Sequence, residues 1–152
     1  MVRRGSHADV TFMRSMLTHA YHWRVAGFDD EIPLSRYTEN WGRSDDLALI
    51  AMEAGHPIGA AWLRRFTAAS PGYGFVDEQT PELTIAVVPS RRHHGVGQEL
   101  LDSLLEQARA AGHRAVSLSV EHESPAVAFY ERNGFTQVGH EHGALTMIKR
   151  FS

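Results

Sequence analysis

Residues 87–101 have the sequence VVPSRRHHGVGQELL, and they join an apolar strand to an amphipathic helix. The apolar run at residues 82–88 predicts the strand, and Pro89 ends it because proline has no N–H for a further ladder hydrogen bond. Beyond Gly97, apolar residues recur at helical spacing with charged residues on the opposite face. A helix N-terminus offers free N–H groups, and glycine lets the backbone come close to a ligand. The segment therefore predicts an anion-binding loop at the start of a helix.

An ordinary strand-to-helix turn is the alternative for this loop, since such a turn also uses glycine. Arg92 favours the anion, because a guanidinium adds a charge-assisted hydrogen bond. Two other phosphate motifs are absent from the sequence, namely Gly-x-x-x-x-Gly-Lys-Ser/Thr and Gly-x-Gly-x-x-Gly. The sequence therefore excludes a P-loop nucleoside triphosphatase and leaves a Rossmann-type dinucleotide site unsupported.

Hydrophobic periodicity predicts one α/β layered domain over residues 1–152, with the element order β-α-(α)-β-β-β-α-β-α-β-β. Ser6 to Asp9 resembles a capping box ahead of the first helix. The predicted strands are residues 2–4, 47–52, 58–63, 82–88, 116–120, 136–139 and 144–149. The predicted helices are residues 8–22, residues 34–41, about residues 97–111, and a short helix through Phe129 and Tyr130.

Composition restricts the class of protein. The chain has 152 residues, 43% hydrophobic and 22% charged, which fits one globular domain. Its 18 acidic and 15 basic residues give a net charge of −3, so the global positive field of a nucleic-acid-binding protein is absent. The absence of cysteine excludes disulfides, thiolate metal ligands and a cysteine nucleophile, and it fits a reducing cytoplasm. Neither a signal-peptide core nor an apolar run near the roughly 20 residues of a membrane span is found. We therefore expect a cytoplasmic protein without nucleic-acid or membrane partners.

Two segments resemble the motifs of a known family. Residues 87–101 resemble motif A of the GNAT superfamily of N-acetyltransferases, whose core is Arg/Gln-x-x-Gly-x-Gly/Ala. Residues 125–135, PAVAFYERNGF, resemble its motif B, with the Ala-x-x-x-Tyr and Gly-Phe of that family. The two motifs lie about as far apart as the family places them. The resemblance implies a GNAT-like fold, with a mixed, mostly antiparallel central sheet of about 6–7 strands flanked by about 4 helices.

The resemblance also implies an N-acetyltransferase that transfers the acetyl group of acetyl-CoA to a primary amine of a small molecule or peptide, by direct attack in a ternary complex. The strand at 85–88 would splay from the strand at 116–120, and its free backbone groups would hold the pantetheine arm. An N–H of Val87 or Val88 would polarise the carbonyl. Acetyl-CoA would be a co-substrate, and the likeness is compatible with a homodimer. The residues expected to contact the cofactor are Ala86, Val87, Val88, Arg92, His93, His94, Gly95, Val96, Gly97, Gln98, Glu123 and Ala126.

The same resemblance suggests catalytic roles for two residues. Tyr130 falls where the family places its general acid, and it would protonate the departing thiolate. The alternative is that Tyr130 only packs, but Phe129 and Phe135 can supply that packing, which favours the catalytic role. Glu82 falls where many members place a carboxylate base, with a solvated strand-end acid as the alternative. The rival bases, at the end of the neighbouring strand, are Glu121, Glu123 and, more weakly, His122.

Two departures from the family pattern concern the cofactor site. His93 and His94 stand where the family often has glycine and a basic residue, so neutral imidazoles would lower the positive potential there. Glu123 stands where the family often has asparagine, which changes one contact to the cofactor arm. These departures leave a non-catalytic acyl-CoA-binding regulatory module as the alternative function.

The resemblance further implies that the acceptor amine would be selected by residues 22–41, residues 71–79 and the final hairpin. Acidic side chains in these segments could attract a cationic amine, although acidic loops are usually only solvated. The ten histidines of the chain show no zinc-ligand spacing, so we predict no metal site. The acids concerned are Asp29, Asp30, Glu31, Asp77 and Glu78.

Overall fold

The central feature of the fold is one seven-stranded mixed sheet, with the spatial order β1-β2-β3-β4-β5-β7-β6. The structure is a computed structural model that describes residues 1–21, 32–141 and 143–151. The strands are β1 Val2–Arg4, β2 Leu47–Glu53, β3 His56–Arg64, β4 Glu82–Val87, β5 Ala115–Glu121, β6 Thr136–Glu141 and β7 Ala144–Arg150. All seven strands expected from the sequence are confirmed, with ends that differ by at most two residues.

Three α-helices are present within the described residues, where about four were expected: α1 Val10–Ala20, α2 Val96–Ala110 and α3 Ala126–Arg132. The helix expected at residues 34–41 is a short 3-10 helix, Leu34–Tyr37. The helix expected at residues 8–22 is α1, which ends at Ala20, and residue 22 of the expected range lies outside the described residues. The predicted capping box is confirmed: Ser6 Oγ accepts from the N–H of Ala8 at 3.3 Å, and Asp9 Oδ2 accepts from the N–H of Ser6 at 2.8 Å. These bonds satisfy N–H groups that the start of a helix leaves free.

A fork opens where β4 and β5 meet, and this feature positions the candidate site. Every other neighbouring pair in the sheet is antiparallel, whereas β4 and β5 run parallel. Their ladder consists of the single pair Glu82–Ser117, after which the strands separate. The N–H of Ser117 donates to Pro81 O at 3.0 Å just before the fork opens. The splay implied by the family resemblance is therefore present.

The sheet carries a hydrophobic core on each face. Alternate residues of β2 enter different cores, because successive side chains of a strand point to opposite faces. The α2 core packs α2 and α3 on one face, and the α1 core packs α1 on the other. The α2 core includes Leu49, Leu83, Leu100, Leu104, Leu118, Tyr130 and Phe135, and the α1 core includes Met13, Met16, Tyr21, Tyr37, Ile50, Trp62 and Phe66.

Candidate active site

The loop between β4 and α2 presents a row of free backbone N–H groups. After β4, the short 3-10 helix Pro89–Arg91 leads into His93 at φ 68° and Gly95 at φ 82°, both left-handed, and α2 begins at Val96. Within the described chain, the N–H groups from His93 to Gln98 donate to no protein acceptor; the next one, that of Glu99, donates to Gly95 O at 3.1 Å. Left-handed residues in a turn, followed by the start of a helix, direct such N–H donors toward one point. The loop therefore fits a diphosphate, which needs several donors at once.

The side chains of this loop add charge at its rim. Arg92, His93 and His94 are all exposed. The Arg92 Nε donates to Val87 O at 3.3 Å, so the guanidinium lies over the end of β4. Arg91 is instead paired with Glu53, with Nε to Oε1 at 2.8 Å. Of these two arginines, Arg92 is therefore the one placed to meet an anion at the loop.

Gln98 has a structural role that the sequence did not reveal. Its side-chain amide exchanges hydrogen bonds with that of Asn133, from Gln98 Nε2 to Asn133 Oδ1 at 2.7 Å and from Asn133 Nδ2 to Gln98 Oε1 at 3.2 Å. Asn133 also donates to Phe129 O at 2.8 Å. The pair joins the start of α2 to the end of α3, so only the backbone N–H of Gln98 is free for the cofactor.

Strand alternation decides which amides of β4 face the fork. The N–H of Val88 donates to Ile58 O at 2.8 Å, so it is engaged by β3. In an antiparallel pair, alternate residues bond to the partner strand, which makes Ala86 a residue that also bonds to β3. Val87 has the intervening position, opposite Gly59, and its N–H points toward the fork. Of the two amides considered for polarising a carbonyl, only that of Val87 is free.

Tyr130 lies on α3, at the α2-core side of the fork. Its ring packs against Phe129 and Phe135, with centroids 5.3 and 5.5 Å away. Burial raises the pKa of its phenol, and among the described residues the hydroxyl has no hydrogen-bond partner. The Tyr130 hydroxyl is also near enough to raise the pKa of Tyr21, which belongs to the α1 core. Tyr130 is thus a buried, protonated phenol whose hydroxyl is near Tyr21.

Glu82 is buried and engaged. It is only 1% exposed, and it stands at the residue pair where the fork opens. Its Oε1 accepts from the N–H of Gly74 at 3.0 Å, and its Oε2 accepts a short hydrogen bond from the hydroxyl of Tyr37. The solvated strand-end carboxylate considered as the alternative is therefore wrong, and the role of Glu82 as a base stays a prediction.

The hydroxyls around Glu82 belong to Tyr37 and Tyr21, to which sequence reasoning assigned no individual role, although Tyr37 lies in the segment 22–41 that was expected to select the acceptor amine. Tyr37 is fully buried, and its pKa is raised well above the ordinary value by burial and by the negative charge of Glu82. Burial likewise raises the pKa of Tyr21, whose ring lies 5.4 Å from that of Tyr37. Aromatic residues in this part of the chain were a visible signal, but their meeting with Glu82 depends on tertiary contacts.

The rival bases lie at the far end of β5. The side chain of Glu123 is 78% exposed, and its Oε1 lies 3.9 Å from His122 Nε2. Glu121 is the last residue of β5, opposite Ala144 of β7. The N–H of Ala126, a predicted cofactor contact, donates to Ser124 Oγ at 3.1 Å. This end of β5 is thus open to solvent, in contrast to the buried start of the fork.

Neither a membrane-crossing helix nor a metal-binding cluster is found among the described residues. None of the helices found there is long and apolar enough to cross a membrane. No group of three or more histidine, aspartate or glutamate side chains in that part of the chain could hold a metal ion. His142, one of the ten histidines, lies outside the described residues, as do Asp29, Asp30 and Glu31.

Comparisons with known proteins agree with this geometry. The sequence model of the acetyltransferase (GNAT) family matches residues 12–135. No curated protein sequence gives a significant match. Among solved structures, the ribosomal-protein-alanine N-acetyltransferase of Brucella melitensis superposes with a TM-score of 0.74 at 23% identity, over 99% of each chain.

Two further solved structures contain the cofactor. The yncA protein of Salmonella typhimurium, solved with its cofactor acetyl-CoA, has a TM-score of 0.73 at 22% identity, over 100% of this chain and 94% of its own. The PaiA N-acetyltransferase of Thermoplasma acidophilum, in complex with coenzyme A, has a TM-score of 0.69 at 21% identity, over 99% and 98%. At such identities the likeness establishes the fold, and the family match establishes the family.

Proposed function

The chain belongs to the GNAT family of acetyltransferases, and we propose that it transfers the acetyl group of acetyl-CoA to a primary amine of a small molecule or peptide. The reaction proceeds by direct attack in a ternary complex. The observation that carries the proposal is the row of free N–H groups from His93 to Gln98, at the open end of the β4–β5 fork. Those donors suit the diphosphate of coenzyme A, and the fork suits its extended arm.

Each step assigns a task to groups of this chain. Acetyl-CoA, when bound, supplies the acetyl group and a thiolate leaving group. The amides from His93 to Gln98 and the guanidinium of Arg92 bind the diphosphate. The N–H of Val87 donates to the acyl oxygen, where negative charge develops as the amine attacks. The backbone of β4 and β5 aligns the two reactants, which reduces the entropy lost on reaction.

Tyr130 completes the transfer as the proton donor. As the carbon–sulfur bond breaks, its hydroxyl gives a proton to the sulfur, and the attacking nitrogen loses a proton to a base. Because burial raises the pKa of Tyr130, the phenol is protonated across the neutral range. Glu82 is the predicted base, and its two oxygens each accept one buried hydrogen bond, from the Tyr37 hydroxyl and from the N–H of Gly74.

A second candidate function follows from that last observation. Both oxygens of Glu82 accept hydrogen bonds from other parts of the chain, so this carboxylate is engaged by protein groups and is not held free for a substrate proton. This favours the alternative of a non-catalytic acyl-CoA-binding regulatory module. Both functions require cofactor binding, but only the enzyme transfers the acetyl group. A turnover measurement therefore distinguishes them.

Cofactor binding is tested by thermal stabilisation with coenzyme A. At a hundred times Kd, a ligand of the native state adds about 2.7 kcal/mol to the free energy of unfolding. We expect that shift to be lost in Gly95→Trp, because the new side chain blocks the row of N–H groups. Gly112→Trp is the matched control: Gly112 has φ 91°, open space around it and a position past the other end of α2. Equal stabilisation of both variants would remove the loop from the binding site.

Turnover is tested with a panel of amines. Acetyl-CoA is mixed with spermidine, lysine amide or a peptide that begins with alanine, and free thiol and acetylated product are measured together. Amine-dependent release of thiol, matched by acetylated amine, supports the enzyme. Stabilisation by coenzyme A without release for any amine supports the regulatory module.

A further inference from the structure

The two ends of the proposed active site lie on two different helices. The free N–H groups from His93 to Gln98 lead into α2, whereas Tyr130 belongs to α3. The two helices are separated along the chain by the whole of β5. Tyr130 can protonate the sulfur of a cofactor held at α2 only if the two helices keep a fixed placement, because reacting groups must be aligned closely.

One pair of side-chain amides joins the two helices. Gln98 Nε2 donates to Asn133 Oδ1 at 2.7 Å, and Asn133 Nδ2 donates to Gln98 Oε1 at 3.2 Å. Gln98 Nε2 also donates to Asp102 Oδ1 at 2.8 Å, one turn further along α2. Among the described residues, no other hydrogen bond or ion pair connects α2 with residues 126–133. Because each amide both donates and accepts, the pair restrains the distance between the helices and their orientation.

Asn133 is bonded directly to the backbone that carries Tyr130. Its N–H donates to Tyr130 O at 3.0 Å, and its Nδ2 donates to Phe129 O at 2.8 Å. On its other side, Asn133 O accepts from Lys149 Nζ at 2.8 Å, which anchors it to β7. A displacement at the start of α2 can therefore reach the backbone of Tyr130 through Asn133.

We propose that the Gln98–Asn133 pair couples cofactor binding at the start of α2 to the placement of Tyr130, and that both are positioning residues for the transfer. The inference rests on the proposed function, because that function makes Tyr130 the proton donor. Gln98 then has two separate tasks: its backbone N–H belongs to the row of donors, and its side chain belongs to the link. A misplacement of about 1 Å can lower a rate by a hundredfold, so a loosened link should reduce kcat more than binding.

The coupling is tested without an acceptor amine, by NMR hydrogen exchange at two amides of α3. The N–H groups of Asn133 and Phe135 both donate to Tyr130 O at 3.0 Å, so their exchange reports local opening around Tyr130. If opening of α3 also weakens the loop, coenzyme A at a hundred times Kd should slow both amides by about tenfold or more, up to the hundredfold limit set by mass action. In Gln98→Ala the slowing should fall below about twofold, because opening of α3 no longer affects binding.

Gln107→Ala is the matched control for this measurement. Gln107 also lies on α2, but its side chain forms no hydrogen bond with a described residue. This variant should keep the full slowing by coenzyme A. Equal slowing in the parent and in Gln98→Ala, or no slowing in the parent although coenzyme A binds, would overturn the coupling.

Turnover separates positioning from binding, with the panel amine of highest rate. Gln98→Ala should lower kcat on the order of tenfold, while KM for acetyl-CoA stays within about threefold because the backbone N–H is retained. Gln107→Ala should change neither constant. A rise in KM for acetyl-CoA with unchanged kcat would make the Gln98 side chain a cofactor contact and would contradict the proposal.

A double-mutant cycle tests whether the two amides act as one unit. The values of kcat are compared for Gln98→Ala, Asn133→Ala and the variant that carries both changes. Because each single change already breaks the pair, the double variant should lose no more than about twofold beyond Asn133→Ala alone. Additive losses would show that the two residues act independently. Absence of stabilisation by coenzyme A in the parent refutes the proposed function, whereas its presence with additive losses or unaltered exchange refutes this inference alone.

Discussion

Tyr130 and Glu82 are both buried at the fork, but their surroundings suit them to different tasks. The Tyr130 hydroxyl has no hydrogen-bond partner among the described residues, and burial raises its pKa, so it keeps its proton. Glu82 accepts from Tyr37 and Gly74 on the opposite face. The free phenol can give a proton to a substrate, whereas the engaged carboxylate holds protein groups in place.

At the residue scale, the raised pKa of Tyr130 predicts its titration. The phenol should ionise only above the ordinary tyrosine value of about 10, so ionisation of Tyr130 should not reduce kcat between pH 7 and about 10. The measurement is the phenolate absorbance of the parent minus that of Tyr130→Phe, recorded against pH. A difference that titrates below pH 9 would show that Tyr130 is not held in its protonated form.

Single residues also show where sequence reasoning ends. Gly95 and the free amides beside it could be predicted, because a turn before an amphipathic helix is a local pattern. The hydrogen bond from the Val88 N–H to β3 could not be predicted, since it follows from the register of β3 against β4. The pairing of Gln98 with Asn133 depends on the packing of two helices far apart in the chain. Burial of Glu82 likewise depends on a loop that precedes it.

At the element scale, the loop before β2 is tied to the end of β3 by a buried ion pair. Arg64 Nη2 lies 2.7 Å from Asp46 Oδ2, and the two side chains are 1% and 3% exposed. Arg64 Nη1 also donates to the carbonyls of Arg36 and Glu39, at 3.1 and 2.6 Å. One guanidinium thus fixes the segment that carries Tyr37 to its place beside Glu82.

Removing one partner of this pair should destabilise the protein strongly. Asp46→Ala leaves a buried cation without its counter-ion, and we expect the free energy of unfolding to fall by about 3–5 kcal/mol. Asp45→Ala is the control, because Asp45 forms an exposed pair with Arg65, worth less than about 1 kcal/mol. Urea denaturation of both variants checks the contrast. Similar losses in the two would mean that the buried pair does not anchor the loop.

The elements themselves were largely predictable, because periods of 2 and 3.6 residues mark strands and helices locally. The 3-10 helix Leu34–Tyr37 was expected to be longer, and its last hydrogen bonds run from the N–H groups of Thr38 and Glu39 to Ser35 O. The fork is different, since no pattern within β4 or β5 states that their ladder holds only one residue pair. That feature was expected from the family resemblance alone.

At the scale of the whole molecule, the two cores that cover the sheet contain three buried tyrosines. The pKa values of Tyr21, Tyr37 and Tyr130 are all raised, and burial is the largest cause for each. In the unfolded chain these phenols ionise near pH 10. Above that pH the unfolded state loses protons that the native state keeps. The free energy of unfolding therefore has its full value below pH 10 and falls as pH rises toward the folded pKa values.

The raised pKa values of the buried tyrosines predict that alkaline pH destabilises the protein. The free energy of unfolding should fall by up to about 1.4 kcal/mol per pH unit for each such tyrosine above pH 10. The chain has one lysine, Lys149, so few other groups titrate in that range. Thermal unfolding from pH 8 to 11, in the parent and in Tyr130→Phe, measures the slope. A variant slope equal to that of the parent would contradict a buried, titrating Tyr130.

The most direct test of the whole account is the rate of amine-dependent thiol release from acetyl-CoA, in the parent and in Tyr130→Phe. We expect the parent to form acetylated amine in step with free thiol. The variant should lose on the order of a hundredfold or more in kcat, as removal of a general acid does, while coenzyme A stabilises both proteins equally. Thiol release by Tyr130→Phe at the parent rate, or no release by the parent with any amine despite binding of coenzyme A, would contradict the account.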